Sequence, residues 1–106
     1  MNEIIKMLNK PLFIDNISLY NCSEKIYMQW TCCTQGKCYS ILFRNVSRLY
    51  ITDLSYPMHI DYLEIVCNIK KGWDVDSLYH FHEYENDRIQ FYCQSFELCE
   101  NIGPEA

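Results

Sequence analysis

The sequence predicts an all-β domain made mainly of antiparallel strands, folded as a small sandwich or as a strongly curved sheet. About seven short runs alternate apolar and polar residues with the period of two that a β-strand requires. The connections between these runs are too short for parallel crossovers, which need a dozen or more residues. Only one segment, near the N-terminus, has helical periodicity.

That segment, residues 2–9, predicts a short N-terminal helix. Ile4 and Leu8 fall on one helical face, and Asn2 is a suitable cap for the first turn. Pro11 stops the helix, because proline cannot continue the backbone hydrogen bonding. After Pro11 we expect only strands and turns.

The predicted strands share apolar alternation and flanking turn residues. They cover residues 17–22, 26–34, 38–44, 48–54, 60–67, 77–84 and 88–98. A hairpin turn is predicted around Gly36, which can adopt a positive φ. Pro57 interrupts the pattern, because proline does not fit a central strand. In the last strand, Phe96 is out of phase with Phe91, so we expect a bulge near Gln94 and Ser95.

Length and composition predict a single globular domain, residues 1–106, with a frayed tail from about residue 101. The chain has 106 residues, 49% of them hydrophobic and 15% aromatic, which excludes an intrinsically disordered protein. Its apolar runs are far shorter than the 18 or so residues of a membrane-spanning helix. We therefore expect no membrane partner.

The net charge is -5 and is unevenly distributed. Residues 1–73 carry a formal charge of +2, whereas residues 74–106 carry -7. A nucleic-acid-binding surface requires a basic patch, and none is visible. The acidic segment favours solubility or a basic protein partner.

Seven cysteines are many for this length. The N-terminus lacks the basic and apolar regions of a signal peptide, so we expect a cytoplasmic protein with reduced thiols that mostly behave as buried hydrophobic residues. Cys32 and Cys33 point to opposite faces of a strand and so cannot jointly bind one metal ion. Cys33 and Cys38 flank the Gly36 turn and can face each other across the hairpin.

His80 and His82 are the weak candidates for metal ligands. Residues two apart on a strand project from the same face, and His59 or a carboxylate would have to supply a third ligand. The opposite face, with Phe81, is the predicted core face. The simpler interpretation is therefore a solvated histidine pair, and we expect no metal and no cofactor.

The sequence does not predict an enzyme. It lacks a nucleophile elbow, a phosphate-binding glycine loop and a zinc-protease motif. Three glycines in the whole chain leave little material for an oxyanion loop.

The predicted partner surface combines one aromatic ring in a polar loop, Trp73, with several carboxylates, and the alternative for this ring is that it covers an open end of the sheet as part of the core. Its residues are Trp73, Asp74, Asp76, Glu83, Glu85 and Asp87. Tryptophan is a frequent interface hot spot, and an acidic patch would attract a basic partner. Several tyrosines also fall on faces opposite the predicted core, where they belong either to an interface or to a second buried layer: Tyr20, Tyr50, Tyr56, Tyr62, Tyr84 and Tyr92.

A resemblance adds to this prediction. It is carried by the patterns Phe43-x-Asn45-Val46-Ser47-x-Leu49, Ile60-x-x-Leu63-Glu64-Ile65, Gly72-Trp73 and Ile89-x-Phe91-x-Cys93-x-x-Phe96-Glu97-Leu98. Together they resemble small uncharacterised all-β proteins of bacteria, some of which are grouped with immunity proteins of polymorphic toxin systems. The resemblance spans roughly the last 60 residues and implies a cytosolic protein that binds a protein partner without catalysis.

We therefore expect a non-enzymatic protein-binding module, with toxin neutralisation as its specific form. Two alternatives stay open. One is a small-ligand or metal-binding β domain that uses His80 and His82. The other is a structural subunit of a homo-oligomer, such as a homodimer formed through an edge strand.

Overall fold

A computed structural model describes residues 8, 10–34, 36–52, 55–68, 78–83 and 87–101. Within these residues the chain forms two antiparallel sheets. The strands in chain order are β1 (Leu12–Cys22), β2 (Lys25–Thr34), β3 (Lys37–Arg44), β4 (Ser47–Ile51), β5 (Met58–Ile60), β6 (Leu63–Cys67), β7 (Tyr79–Glu83), β8 (Ile89–Cys93) and β9 (Ser95–Asn101). The five-stranded sheet has the order β5-β1-β2-β3-β9, and the four-stranded sheet has the order β4-β8-β7-β6. The predicted all-β, antiparallel class is confirmed.

The number of strands differs from the prediction, nine instead of seven, because two predicted strands are each divided between the two sheets. The run 60–67 breaks between Ile60, which ends β5, and Leu63, which begins β6. The run 88–98 breaks at Gln94, after which the chain leaves the four-stranded sheet. Phe96 is out of phase because its strand faces the core from the opposite layer, so the predicted bulge within one strand is wrong.

The two sheets bury their aromatic faces against each other. Phe43 of β3 lies at the centre, with ring-centroid distances of 5.3 Å to Phe81 and 5.0 Å to Phe91 in the opposite sheet. Trp30 of β2 contacts Phe43 at 4.7 Å and Phe91 at 5.7 Å. All four side chains are fully buried. Burial of each such ring contributes about 2–3 kcal/mol to folding, and the edge-to-face contacts add to it.

The first three strands form a continuous antiparallel meander. β1 is longer than predicted and begins directly after Pro11. The β2–β3 hairpin closes at the pair Thr34 and Lys37, and Gly36 has the predicted positive φ of 81°. The register of β1 against β2 shifts between Ile14 and Asn16, which leaves Asp15 as an extra, bulged residue.

The chain passes between the sheets twice at one corner. Asn45, between β3 and β4, has a left-handed φ of 56°, and the Val46 amide donates to the Ile26 carbonyl at 2.8 Å. At the second passage the Gln94 amide donates to the Arg44 carbonyl at 2.9 Å. These backbone hydrogen bonds satisfy polar groups that the ladders of neither sheet can reach.

Three further predictions concern the chain ends and the cysteines. The predicted N-terminal helix, residues 2–9, falls outside the described residues except for Leu8, whose side chain is buried in the core. The predicted frayed tail beyond Asn101 also lies outside them.

The expectation that all cysteines are reduced is wrong for one pair, because Cys33 and Cys38 form a disulfide across the hairpin. No helix long and apolar enough to span a membrane occurs in the described ranges.

Candidate functional site

Four of the six predicted partner-surface residues, Trp73, Asp74, Asp76 and Glu85, lie outside the described residues. Their role as a binding surface stays a prediction.

Glu83 does not belong to that surface. Its side chain is 0% exposed, because it shares the inward face of β7 with Phe81. The Glu83 carboxylate accepts a hydrogen bond from the backbone amide of Arg88 at 2.9 Å. Its function is therefore structural, since it ties the end of β7 to the start of β8.

Asp87 is exposed and stands beside His82. The Asp87 Oδ1 lies 2.7 Å from the His82 Nε2. Two contacts from Thr52 hold the backbone of Asp87 and Arg88 against the end of β4. The Thr52 hydroxyl donates to the Asp87 carbonyl at 3.2 Å, and the Thr52 amide donates to the Arg88 carbonyl at 2.9 Å. The Asp87 carboxylate is thus presented at a fixed position on the rim of the four-stranded sheet.

A pocket of about 330 Å³ opens next to this pair. Its lining residues are Tyr50, His82, Asp87 and Gln90. Three of them come from one row across the outer face, because Gln90 of β8 pairs with Tyr50 of β4 on one side and with His82 of β7 on the other. Strand alternation therefore brings a phenol, an amide and an imidazole together on one face, and the turn adds the Asp87 carboxylate.

A second row on the same face is more enclosed. His80 stacks on Tyr92 with a centroid distance of 4.4 Å, and the Arg48 guanidinium lies 5.3 Å from the centroid of the Tyr92 ring. The His80 Nε2 is buried and has no hydrogen-bond partner among the described residues. Burial lowers the pKa of His80 below its ordinary 6.5 and the nearby His82 lowers it further, while the side chains of Gln90 and Glu64 act in the opposite direction.

The histidine pair is therefore less solvated than predicted. The His82 side chain is only 16% exposed, and His80 is half-buried under Tyr92. Within the described ranges, neither histidine belongs to a group of three ligand atoms close enough to hold a metal ion. The group that meets this condition is Asp15, Cys33 and Cys38, on the other sheet.

Sequence reasoning missed Tyr50 and Gln90 as members of one pocket. For Tyr50 the sequence leaves an interface and a second buried layer open, and its 55% exposure agrees with the first. Nothing in the sequence marks Gln90 as a pocket residue, since a glutamine in a strand indicates only an exposed position. The pairing of β4 with β8 makes them neighbours, and this pairing joins segments about 40 residues apart.

Comparisons with known proteins add no relative. No family model matches the chain, no curated protein matches it, and no solved structure matches it.

Proposed function

We propose that this protein is a non-enzymatic protein-binding module whose pocket receives a basic side chain of its partner. The observation that carries the proposal is the pocket lined by Tyr50, His82, Asp87 and Gln90. It includes Asp87, which is exposed and is one of the two described residues of the acidic surface predicted from the sequence.

The pocket has the groups that an arginine side chain would use. The Asp87 carboxylate is an acceptor for a charge-assisted hydrogen bond, and the Gln90 amide oxygen is a neutral acceptor. The Tyr50 ring offers a face to a planar cation. Because His82 already contacts one oxygen of Asp87, the carboxylate is oriented before a partner arrives. Such preorganisation reduces the entropy lost on binding.

The negative charge of the chain supports the same partner class. The net charge of -5 would attract a basic protein and raise its association rate. The sequence resemblance suggests that the partner is a toxin, which the protein would bind and neutralise in the cytoplasm. Trp73, Asp74 and Asp76 stay candidates for the partner surface on the sequence alone.

A peptide titration tests the proposal. Fluorescently labelled peptides of equal length, rich in arginine, lysine or glutamate, are titrated with the protein, and chemical shifts identify the residues that respond. We expect the arginine peptide to bind best and to shift the signals of Tyr50, His82 and Gln90. Asp87→Asn should weaken this binding by roughly tenfold or more, since a hydrogen bond to a charged group contributes about 1.5–3 kcal/mol. Asparagine tolerates the left-handed φ of 52° at this position, so the turn should persist.

Asp61→Asn is the matched control. Asp61 is another exposed carboxylate beside a histidine, with its Oδ1 3.3 Å from the His59 Nε2. This variant should bind as tightly as the unmodified protein. Equal loss in both variants, or equal binding of the glutamate peptide, would contradict the pocket. A mass that rises with protein concentration while all peptides fail to bind would favour the homo-oligomer instead.

One observation favours that second candidate. Among the described residues, β5 pairs with β1 at Leu12, Phe13 and Ile14, and the Tyr56 hydroxyl contacts the Ile17 backbone, so within this part of the chain β1 pairs with β2 alone beyond Ile17. Near that end Leu19 is 51% exposed and Ile26 is 46% exposed. An open edge with apolar side chains can pair with the same edge of a second copy.

A further inference from the structure

The outer face of the five-stranded sheet carries a group of potential metal ligands that is independent of the pocket. The carboxylate of Asp15 and the sulfur atoms of Cys33 and Cys38 offer three ligand atoms, all within 4.8 Å of one another. Asp15 is exposed and both cysteines are half-buried, so solvent, reductants and ions can reach the group.

The strand geometry explains why these residues meet. Cys33 and Cys38 are direct partners in the β2–β3 register, next to the pair that closes the hairpin. The bulge in β1 leaves Asp15 without an opposing residue on β2, and the Asp15 Oδ2 lies 3.1 Å from the Cys33 Sγ. Bulges commonly redirect a side chain in this way at functional positions.

The Asp15 carboxylate gains neither a hydrogen bond nor a charge interaction from the disulfide. A disulfide sulfur has no proton to donate and no charge to neutralise. After reduction the same oxygen can accept a hydrogen bond from a thiol, or it can share a cation with two thiolates. The position of Asp15 is thus matched to the reduced form of the cysteine pair.

We propose that Cys33, Cys38 and Asp15 bind Zn²⁺ when the disulfide is reduced, and that oxidation of the pair releases the ion. Thiolate and carboxylate ligands suit zinc, and a spacing of four residues between two cysteines falls within the range of zinc sites. Tetrahedral zinc with bonds of about 2.0–2.3 Å places its ligand atoms about 3.3–3.8 Å apart, which this group can reach by side-chain rotation. The exposed side leaves the fourth position to water.

The chemistry balances in two steps. A cellular dithiol reduces the Cys33–Cys38 bond, transfers two electrons and two protons to the sulfur atoms, and becomes a disulfide itself. Zn²⁺ then replaces the two thiol protons, which pass to water, while the Asp15 carboxylate binds without losing a proton. Oxidation reverses the sequence: the two thiolates form the disulfide bond, their two electrons pass to an acceptor disulfide, which takes two protons from water and becomes a dithiol, and the ion leaves. A reversible disulfide of this kind also fits the proposed cytoplasmic location, where permanent disulfides are rare.

Cobalt spectroscopy tests the proposal with Co²⁺ as the probe and Zn²⁺ as the competitor. The full chain is reduced with a phosphine, which supplies the electrons without adding a thiol ligand, and is titrated with Co²⁺. We expect one ion per chain, with thiolate charge-transfer absorption and the visible bands of tetrahedral cobalt, both abolished by Zn²⁺. The oxidised protein should show neither. Equal absorption from oxidised protein, or none from reduced protein, would overturn the proposal.

Variants assign the ligands. Cys38→Ser and, separately, Cys33→Ser should each weaken Co²⁺ binding by roughly 100-fold or more, since each removes a direct ligand, and Asp15→Asn should weaken it by about tenfold. Two controls should leave the spectrum unchanged: Glu24→Gln, which removes another exposed carboxylate, and the triple replacement of Cys22, Cys67 and Cys99 by serine, which removes the exposed free thiols. Loss of the bands in the triple variant, or full affinity in Asp15→Asn, would exclude the three-ligand site. Circular dichroism confirms that each variant is folded.

Discussion

At the scale of single residues, Glu83 shows how a carboxylate can lie in a hydrophobic core. An unpaired buried charge would be strongly destabilising. Here the carboxylate accepts the backbone amide of Arg88, so a polar group at the start of β8 is satisfied at the same time. Arg88 directly follows Asp87, which lines the pocket. Glu83 therefore helps to position the backbone beside the candidate site, although its buried side chain cannot contact a partner.

His80 predicts a pH dependence of stability. Its pKa is lowered in the folded protein, mainly by burial. As the pH falls through the ordinary value of 6.5, the unfolded chain takes up a proton before the folded chain does. The stabilising contribution of neutral His80 is therefore present above that value and is lost as the pH falls below it.

Thermal unfolding followed from about pH 7.5 to about pH 5 measures this effect. The melting temperature of the unmodified protein should fall over this range, and His80→Gln should reduce the slope. His59→Gln removes an exposed histidine and serves as the control, for which no such reduction is expected. An identical slope in the His80 variant would show that other groups determine the acid sensitivity.

Some residue-level features could be predicted from the sequence, and others could not. Gly36 was predicted at a positive φ because a tight hairpin leaves few other residues suitable. The alternation that buries Phe81 also buries Glu83, yet its charge led to the opposite prediction. The approach of Asp15 to Cys33 depends on a bulge, and nothing in the local sequence indicates where an extra residue enters a ladder.

At the scale of elements, the passage from β3 to β4 depends on the backbone conformation of Asn45. A left-handed φ of 56° is unfavourable for most side chains, and asparagine and glycine tolerate it best. Asn45→Ala should therefore destabilise the protein by about 1 kcal/mol. Asn45→Gly should be closer to neutral, because glycine adopts this conformation without steric cost.

Urea unfolding of the two variants measures the difference between them. The comparison cancels the loss of the asparagine side chain, which both variants share. A glycine variant as unstable as the alanine variant would show that the side chain of Asn45, rather than its backbone angle, holds the corner.

The divided strands mark the limit of pattern analysis at this scale. The alternation breaks between Ile60 and Leu63 and again between Cys93 and Phe96, because each of these buried pairs is three residues apart. Such a break fits a bulge within one strand as well as a passage from one sheet to the other. Periodicity reports which residues are buried, and in a two-layer arrangement it does not report which layer buries them.

At the scale of the whole molecule, the seven cysteines divide into three classes. One pair is bonded, Cys32 and Cys93 are buried, and three free thiols are exposed: Cys22, Cys67 and Cys99. Burial raises the pKa of Cys32 and of Cys93 to about 12 each, and the charge of Asp15 adds to the effect at Cys32. Relative to a thiol with the ordinary pKa of 9.0, the thiolate fraction of such a group at about pH 8 is roughly 1,000-fold lower.

Alkylation followed by mass spectrometry should resolve these classes. Folded, unreduced protein should add three labels quickly, unfolded protein should add five, and protein both unfolded and reduced should add seven. Fast labelling of Cys93 in the folded state would contradict its burial. Seven labels without reductant would show that the Cys33–Cys38 pair is reduced as isolated, as the sequence alone predicted.

The general architecture was accessible from sequence, since strand alternation and short turns leave few alternatives to antiparallel sheets. The pocket was accessible only in part. Asp87 and His82 were both singled out, but for different sites. Their contact accompanies the packing of Asp87 and Arg88 against Thr52, a tertiary arrangement that local patterns do not encode.

The pairing of β3 with β9 has a consequence for how the chain folds during synthesis. Arg44 is joined to Ser95, a residue that the ribosome adds about 50 positions later, which takes on the order of several seconds. Throughout that interval the nascent meander exposes the far edge of β3 and the ring of Phe43. A strand whose partner has not yet been synthesised has an unpaired edge, and this edge can form hydrogen bonds with another chain. Slow translation or premature termination before residue 95 should therefore favour aggregation. The five-stranded sheet is complete only when β9 pairs with β3.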